Sequence, residues 1–523
     1  MVLRAAVMYE GTKMFSWKLI ELTIILFKHQ FCIRRMMDVS KTLINAIHYG
    51  TINRGNEHLN ILLIYPLREP FNLAPNVRIA GALIPPLGVL YLARMLELQG
   101  HRVQVIDCAA EHSPAEAVQR VLPSADVVGM TIYSGTSEQN ASVSIAKMIK
   151  EQEPDLPLVL GGPHCSIFPQ KALQDHQADV CVLGEGEHRI ASIMNALQGK
   201  QAFSSIPGIV FRGKNGFHAT PAYKQIMDLD ALPFPSRYLV RRYDYGYLHG
   251  VKVLPGMVTS MMSSRGCPFR CAFCQQWFLL PHHRTHSAPR IIAEVDELVR
   301  TGYTSIAFAD DDFLANKRKT ETVMDHIIKE GYSLTMWILN ARVDSADKTL
   351  FTKLRKAGVE LIFFGVESGD QEILDFYQKK ITLDQVRKAV TLSKEAGFFT
   401  SANFIIGAPV EKRRHIQHTM AFARSLPLDN AAFRKLWYLA KSRLWEEAVR
   451  QGKINRDEAD VSTGSDRGLA NFTESEIEAY CNKAYYSFIA SPRYWIREFR
   501  YALAHNDPKF LRLGLRFMLK NIP

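Results

Sequence analysis

Two stretches of this chain alternate short apolar runs with helix-like segments, and that alternation leaves little choice of fold. In the first, runs at 61–65, 103–107, 127–131, 158–162 and 180–183 are separated by helical patterns at 87–99, 115–121, 137–150 and 169–175. A fifth helical pattern follows at 187–197. Short apolar runs between helices read as strands buried on both faces, so a doubly wound, flavodoxin-like parallel α/β sheet is predicted. Right-handed crossovers put helices on both faces and leave a ligand at the carboxyl ends of the strands. Those ends carry Thr131-Ile-Tyr-Ser-Gly135, Gly161-Gly-Pro-His164 and Gly184-Glu-Gly-Glu187. Any one of these loops reads as an ordinary tight turn. Three glycine-bearing loops on one edge favour a large ligand that approaches the backbone closely.

The second stretch places strands at 258–264, 305–309, 334–339, 361–366, 400–406 and 432–439, with helices between them such as 289–301 and 348–357. This is predicted as a partial (β/α)6 barrel of the TIM type, with its chemistry at the strand ends. Asp310-Asp-Asp-Phe313, Asn340-Ala-Arg-Val-Asp344, Gly365-Val-Glu-Ser-Gly369 and Phe404-Ile-Ile-Gly-Ala-Pro409 occupy those ends. Each has a structural alternative: Asp310 to Asp312 as a helix cap, Arg342 as a partner of Asp344, Glu367 as a solvated carboxylate. At successive strand ends they favour a site.

Directly after the first strand of the second stretch stands Cys267-x3-Cys271-x2-Cys274. The five other cysteines, Cys32, Cys108, Cys165, Cys181 and Cys481, are scattered and read as small core residues. With no secretory signal apparent, a reducing, cytoplasmic setting is expected. Three thiolates on one loop can hold three irons of a cubane and leave the fourth open. A zinc ion would instead recruit a fourth ligand from His282, His283 or His286.

The segment RGCPFRCAFC resembles the radical S-adenosylmethionine (SAM) signature. PPLGVLYLARMLELQGHRVQVID, VLGGPHCS and ADVCVLGEGE resemble the cobalamin (B12)-binding domain that precedes many radical SAM domains. Over roughly residues 60–450 the chain is similar to the cobalamin-dependent radical SAM enzymes. The resemblance implies a [4Fe–4S] cluster on Cys267, Cys271 and Cys274, whose open iron chelates the amino and carboxylate groups of SAM. It implies SAM contacts from Phe273, Asp310, Arg342, Glu367 and Gly407, with Arg342 and Glu367 near the amino group and ribose and Gly407 near the adenine. For cobalamin it implies Thr131, Ser134, Gly161, Gly162, Gly184, Glu185 and Gly186. The Asp-x-His-x-x-Gly motif of methionine synthases is absent, so no protein histidine is expected on cobalt, and His164 reads as a loop residue. Leu439-Ala-Lys-Ser-Arg443 stands where relatives often have Pro-Gly-Thr.

The implied function is methyl transfer to an unactivated carbon of a small-molecule or lipid substrate, fed by a low-potential donor such as flavodoxin or ferredoxin. A radical cyclase or carbon-coupling enzyme acting on a lipid or tetrapyrrole is the second reading. A non-catalytic zinc- or cluster-binding module is the third.

Domain boundaries are expected at 1–58 (extension), 59–200 (cobalamin), 201–250 (linker with a hairpin), 251–450 (radical SAM) and 451–523 (helical, basic). The apolar segment 15–27 is interrupted by Lys18 and Glu21 and is shorter than the ~20 residues of a membrane span. The net charge of +12 does not by itself choose a partner. Residues 490–523 carry seven basic against two acidic side chains, interleaved with aromatics. They read as a helical lid over the barrel or as an amphipathic membrane contact. Nucleic acid ranks last, because no RNA-binding module accompanies them.

Overall fold

The computed structural model describes residues 57–66, 82–133, 136–248 and 250–505, with Leu511 and Leu515. The N-terminal extension, apart from its last two residues, and Ser134 lie outside the described residues.

The first unit is built from β1 (Asn60–Tyr65), α1 (Leu87–Glu97), β2 (Arg102–Asp107), α2 (Pro114–Val121), β3 (Val127–Thr131), α3 (Thr136–Gln152), β4 (Leu158–Gly161), α4 (Pro169–Asp175), β5 (Val180–Val182) and α5 (Ile190–Leu197). Its strands run in the order β2-β1-β3-β4-β5, all parallel, with the order reversing after β1. Such a reversal opens a crevice at the carboxyl edge. Helix α1 buries Leu87, Leu90, Ala93 and Leu96, the spacing of one helical face. The hairpin β6 (Ile209–Gly213) and β7 (Gly216–Ala219), expected within the linker, extends this sheet antiparallel from β5. Buried Ile209 and Val210 on β6 supply the apolar surface for that edge.

The second unit contains β8 (Val258–Met261), α6 (Ala288–Arg300), β9 (Ser305–Phe308), α7 (Lys317–Lys329), β10 (Thr335–Ala341), α8 (Lys348–Lys356), β11 (Val359–Glu367), α9 (Leu383–Glu395), β12 (Phe399–Ile406), α10 (Arg413–Ser425) and β13 (Asn430–Lys435). Its six strands pair in sequence order, every neighbour parallel, as the alternation requires. Past β13 the chain leaves the sheet, and Trp437–Leu439 pairs antiparallel with Asp460–Ser462. The segment that departs from the Pro-Gly-Thr pattern, 439–443, begins at the last residue of this pairing.

One apolar core joins the two units. Leu90, Ala93 and Ile193 from α1 and α5 share it with Val240, Tyr245 and Leu248 of the connecting segment. Ala307, Trp337, Leu361 and Phe399, from four consecutive barrel strands, complete it. Fully burying each leucine, isoleucine, valine or phenylalanine among them contributes about 1.5–3 kcal/mol, so the units are joined by a core.

Helix α11 (Glu474–Ile489) opens with a capping box. Thr473 Oγ1 accepts from Glu476 N at 3.2 Å, and the Glu476 carboxylate accepts from Thr473 N at 2.8 Å. It packs along β13 and α10. Helix α12 (Pro492–His505) braces the opposite end of the barrel. There Arg497 donates to the Leu428 carbonyl and pairs with Asp429 at 3.4 Å, just ahead of β13. Among the described residues no helix is long and apolar enough to cross a membrane.

Candidate active site

The three clustered cysteines sit on a loop that leaves β8 and is closed by antiparallel pairing of Ser264–Arg265 with Arg284–Thr285. Gly266 has φ +82°, and a Cβ there would stand 2.8 Å from the His282 carbonyl oxygen, so glycine is required at this turn. Ala272 N donates to the Tyr377 carbonyl at 2.8 Å and its own carbonyl accepts from Leu444 N at 3.0 Å. The Phe273 ring meets Tyr377 edge-on at 5.2 Å. Burial pushes the Cys267 thiol up to about 11 and Cys274 up to about 12. Thiols held that far from ionisation become ligands when a metal cation compensates the thiolate charge. The donor set fits an iron–sulfur cluster.

Tetrahedral zinc, with Zn–S near 2.3 Å, would draw its thiolates to about 3.8 Å from one another. Among the described residues the one set of three acidic, His or Cys ligand atoms within 4.8 Å of one another is Asp370, Glu372 and His415, which excludes the cysteines. Of the nearby histidines, His286 is engaged by Asp230 at 3.1 Å and His282 is exposed, while His283 is half-buried with its Nε2 unpartnered.

The strand-end residues divide. Asp310 is fully buried, and its carboxylate accepts from Ser263 N and Oγ and from Ser264 Oγ at 2.6–3.0 Å. It braces the strand that leads into the cluster loop and offers no free carboxylate. Arg342 makes a two-pronged contact with Asp344 at 3.0 and 2.9 Å, the structural alternative weighed from sequence. It also lies 3.6 Å over the Phe269 ring of the cluster loop and donates to the Lys379 carbonyl at 2.9 Å. Glu367 follows a register shift in β11 and has φ +73°, a strained value for a non-glycine residue. Its carboxylate pairs with buried Lys379 at 2.7 Å. Burial works against the Lys379 charge, but Glu367 and Cys271 outweigh it and raise its pKa. Gly407 has φ +113° and donates to the Glu411 carboxylate at 2.5 Å. Burial pushes Glu411 up to about 7.

Lys379 was missed by sequence reasoning, since no motif surrounds it. A cavity of about 450 Å3 reaches the cluster loop at Phe273 and is otherwise walled by Ile405, Arg434, Leu436, Trp437 and Cys481.

A separate cavity of about 290 Å3 opens between the two units. The first unit contributes Thr131, Gly162, Gly184, Glu185 and Gly186; the cluster side contributes Met262, Arg265, Gln276, Leu279 and Leu280. Gly161 lines a smaller apolar pocket of about 80 Å3 that shares Thr131, Gly162, Gly184 and Gly186 and runs in toward Gly129. Six of the seven predicted cobalamin residues therefore line these two adjoining cavities, and Ser134 lies outside the described residues. Nothing stands within 4 Å of where a Cβ on Gly88 or Gly161 would lie, so the lining leaves room for a bulky ligand. Tyr65 and Tyr133, packed edge-to-face at 5.8 Å, and Tyr91 complete the wall. Among the described residues no histidine lines either space. His164 is buried, its ring 5.7 Å from Phe168, and burial followed by the field of His176 lowers its pKa to about 4. The residues present fit a corrinoid held without a protein imidazole.

Residues 75–194 match the B12 binding domain and residues 261–423 the radical SAM superfamily. The chain is 30% identical over 450 residues to an uncharacterized methyltransferase of Pyrococcus horikoshii, covering 84% of this chain and 94% of that one. This chain belongs to the cobalamin-dependent radical SAM family. It is an enzyme whose cofactors are a [4Fe–4S] cluster, SAM and cobalamin, which sets aside the non-catalytic zinc-module reading. It is also 30% identical over 375 residues to an anaerobic magnesium-protoporphyrin IX monomethyl ester cyclase of Rubrivivax gelatinosus, covering 68% of this chain and 66% of that one. Two solved members share the fold. TsrM of Kitasatospora setae, a radical SAM methyltransferase with cobalamin and a [4Fe–4S] cluster bound, matches with TM-score 0.61 and 17% identity, covering 75% and 78% of the two chains. OxsB with aqua-cobalamin and SAM bound matches with TM-score 0.65 and 16% identity, covering 87% and 72%.

Proposed function

We propose that this enzyme transfers a methyl group to an unactivated carbon of a small-molecule or lipid substrate. The observation that carries the reading is the shared cavity, in which glycine loops of the first unit face the loop of the three cysteines. When bound, the cluster supplies the electron that splits the SAM sulfonium, and the corrinoid supplies the methyl group.

In this reading Cys267, Cys271 and Cys274 hold the cluster. Phe273 and the backbone at Gly407 shape the site for the nucleoside of SAM. Glu367 offers its carboxylate to the SAM amino group, with Lys379 fixing its direction and Arg342 tying the cluster loop to β10. Asp310 positions the strand end. Thr131, Gly161, Gly162, Gly184, Glu185 and Gly186 bound the cobalamin site, Glu185 through its backbone because its carboxylate is already paired. Gly161 and Gly129 admit the narrow part of the ligand. The cyclase relatives favour a second reading, in which SAM is consumed only as a radical source.

The enzyme works in the cytoplasm, with a flavodoxin or ferredoxin as donor. A peripheral contact with an anionic membrane is supported by α12, whose outer face exposes Ile496, Phe499 and Leu503 at 54%, 57% and 69% beside Arg493 and Arg500. Flotation with phosphatidylglycerol vesicles, lost in Phe499→Glu, tests that contact.

Cobalamin uptake tests the main reading. Anaerobically reconstituted protein should bind one hydroxocobalamin, and its Co(II) form should show no nitrogen superhyperfine splitting from a histidine. Failure to take up cobalamin would remove methyl transfer from the account.

A further inference from the structure

Glu185 and Glu187 stand on the loop after β5 that lines the shared cavity, and Arg265 stands two residues before the first cluster cysteine. A buried ion-pair bridge runs between them. Arg265 donates to Glu185 at 2.8 Å and to Glu187 at 2.6 Å. Arg284, on the strand paired with Arg265, donates to the same Glu185 at 2.7 Å. All four side chains are at least nine-tenths buried. The connecting segment joins in, since Ile226 N donates to Glu185 at 3.0 Å and its carbonyl accepts from Arg284 at 2.6 Å.

Burial opposes charge on both sides of this bridge, and the opposite charges win. The two guanidiniums hold Glu185 below the ordinary carboxylate value, and the two carboxylates hold Arg265 above the ordinary value for arginine.

Apolar side chains of similar volume would make such a contact equally stable or more so, so stability alone does not call for four buried charges here. What a forked guanidinium between two carboxylates adds is a single geometry. That geometry connects two loops assigned to two different cofactors. Arg265 also lies 5.2 Å over Tyr91, another wall of the cavity.

We infer that Arg265 is a positioning residue that fixes the separation between the cobalamin loop and the cluster loop, so that radical and methyl donor address the same substrate atom. This rests on the cofactor assignment of the proposed function.

The test uses the holoenzyme with cob(II)alamin and a reduced cluster, read by pulsed EPR for their dipolar distance. The wild type should give one narrow distance. Measured on the molecules that carry both cofactors, Arg265→Gln should lose the narrow distance, and Arg265→Lys, which keeps charge without the fork, should recover it only in part. Should Arg265→Gln fail to fold, Glu187→Gln carries the same comparison with one prong kept. A wild-type distance distribution in either folded glutamine variant overturns the inference. Wild-type protein that takes up no cobalamin overturns the cofactor assignment, and this inference with it.

Discussion

The two cofactor regions are built on opposite principles. The cluster site is a set of donors, three thiols within eight residues of one loop. The corrinoid site is a space, bounded by glycine backbone and by tyrosine and apolar side chains from α1, four strand ends and the cluster loop. Donors are destroyed by removing one atom, whereas a space is destroyed by adding some. Substitutions should therefore fail in opposite directions at the two sites, and the strongest ones test that contrast.

The largest effect belongs to the donors. Cys271→Ala should abolish the absorption near ~400 nm and all SAM cleavage, because a cubane cannot be held by two thiolates. Cys108→Ala, in the first unit's core, should spare both. Iron analysis and a SAM cleavage assay distinguish them. The converse change fills the space: Gly88→Trp puts a ring where nothing stands within 4 Å of the absent Cβ. Cobalamin uptake should be lost while the cluster forms normally, as read by the two absorption spectra. Cluster loss in Gly88→Trp would show that the two sites do not separate.

Next comes the buried pair beside the cluster. Glu367→Gln leaves the Lys379 ammonium without its carboxylate, a change that costs about 3–5 kcal/mol. The variant should melt at lower temperature and bind SAM more weakly. Calorimetry of both processes checks it, and unchanged SAM affinity would reduce Glu367 to a structural partner of Lys379.

Glu411 gives the pH dependence. Burial raises its carboxyl from 4.5 to about 7. An acid raised on folding stabilises the native state below its unfolded pKa and loses that contribution as pH rises through the folded value. At 1.36 kcal/mol per pH unit the loss is about 3 kcal/mol between pH 4.5 and 7. Urea midpoints across that range should fall for the wild type relative to Glu411→Gln, and parallel profiles would contradict the assignment.

The smallest effect is a null one. His164→Ala should leave the spectrum of bound cobalamin unchanged, since His164 lies outside both lining sets.

The same contrast explains what was legible in the sequence. Strands buried on both faces announce themselves as apolar runs, so the order of elements in both units could be read directly. The cysteine spacing was equally plain, because donors to one cluster must be close in the chain. The cavity wall was half legible: glycines at strand ends marked it, but Tyr65, Tyr91 and Tyr133 looked like ordinary strand, helix and loop aromatics. Partnerships were not legible at all. Asp310 read as a SAM contact or a helix cap, with no sign of Ser263 and Ser264 on it, and Glu185 as a cobalamin-loop residue, with no sign of Arg265 and Arg284. Glu185 and Arg284 are ninety-nine positions apart in the chain. Nor did the hairpin at β6 and β7 declare that it would extend the first sheet, because a hairpin's edge preference depends on what packs against it.

The central claim is that one enzyme brings a radical source and a corrinoid methyl donor to one cavity. The direct measurement is anaerobic incubation of the fully reconstituted protein with SAM and dithionite, with both nucleoside products quantified. 5′-Deoxyadenosine should form whenever the cluster is intact, and S-adenosylhomocysteine should form only when cobalamin is also bound. Deoxyadenosine alone, unchanged by cobalamin, would contradict methyl transfer, and the absence of both products would contradict the radical SAM account.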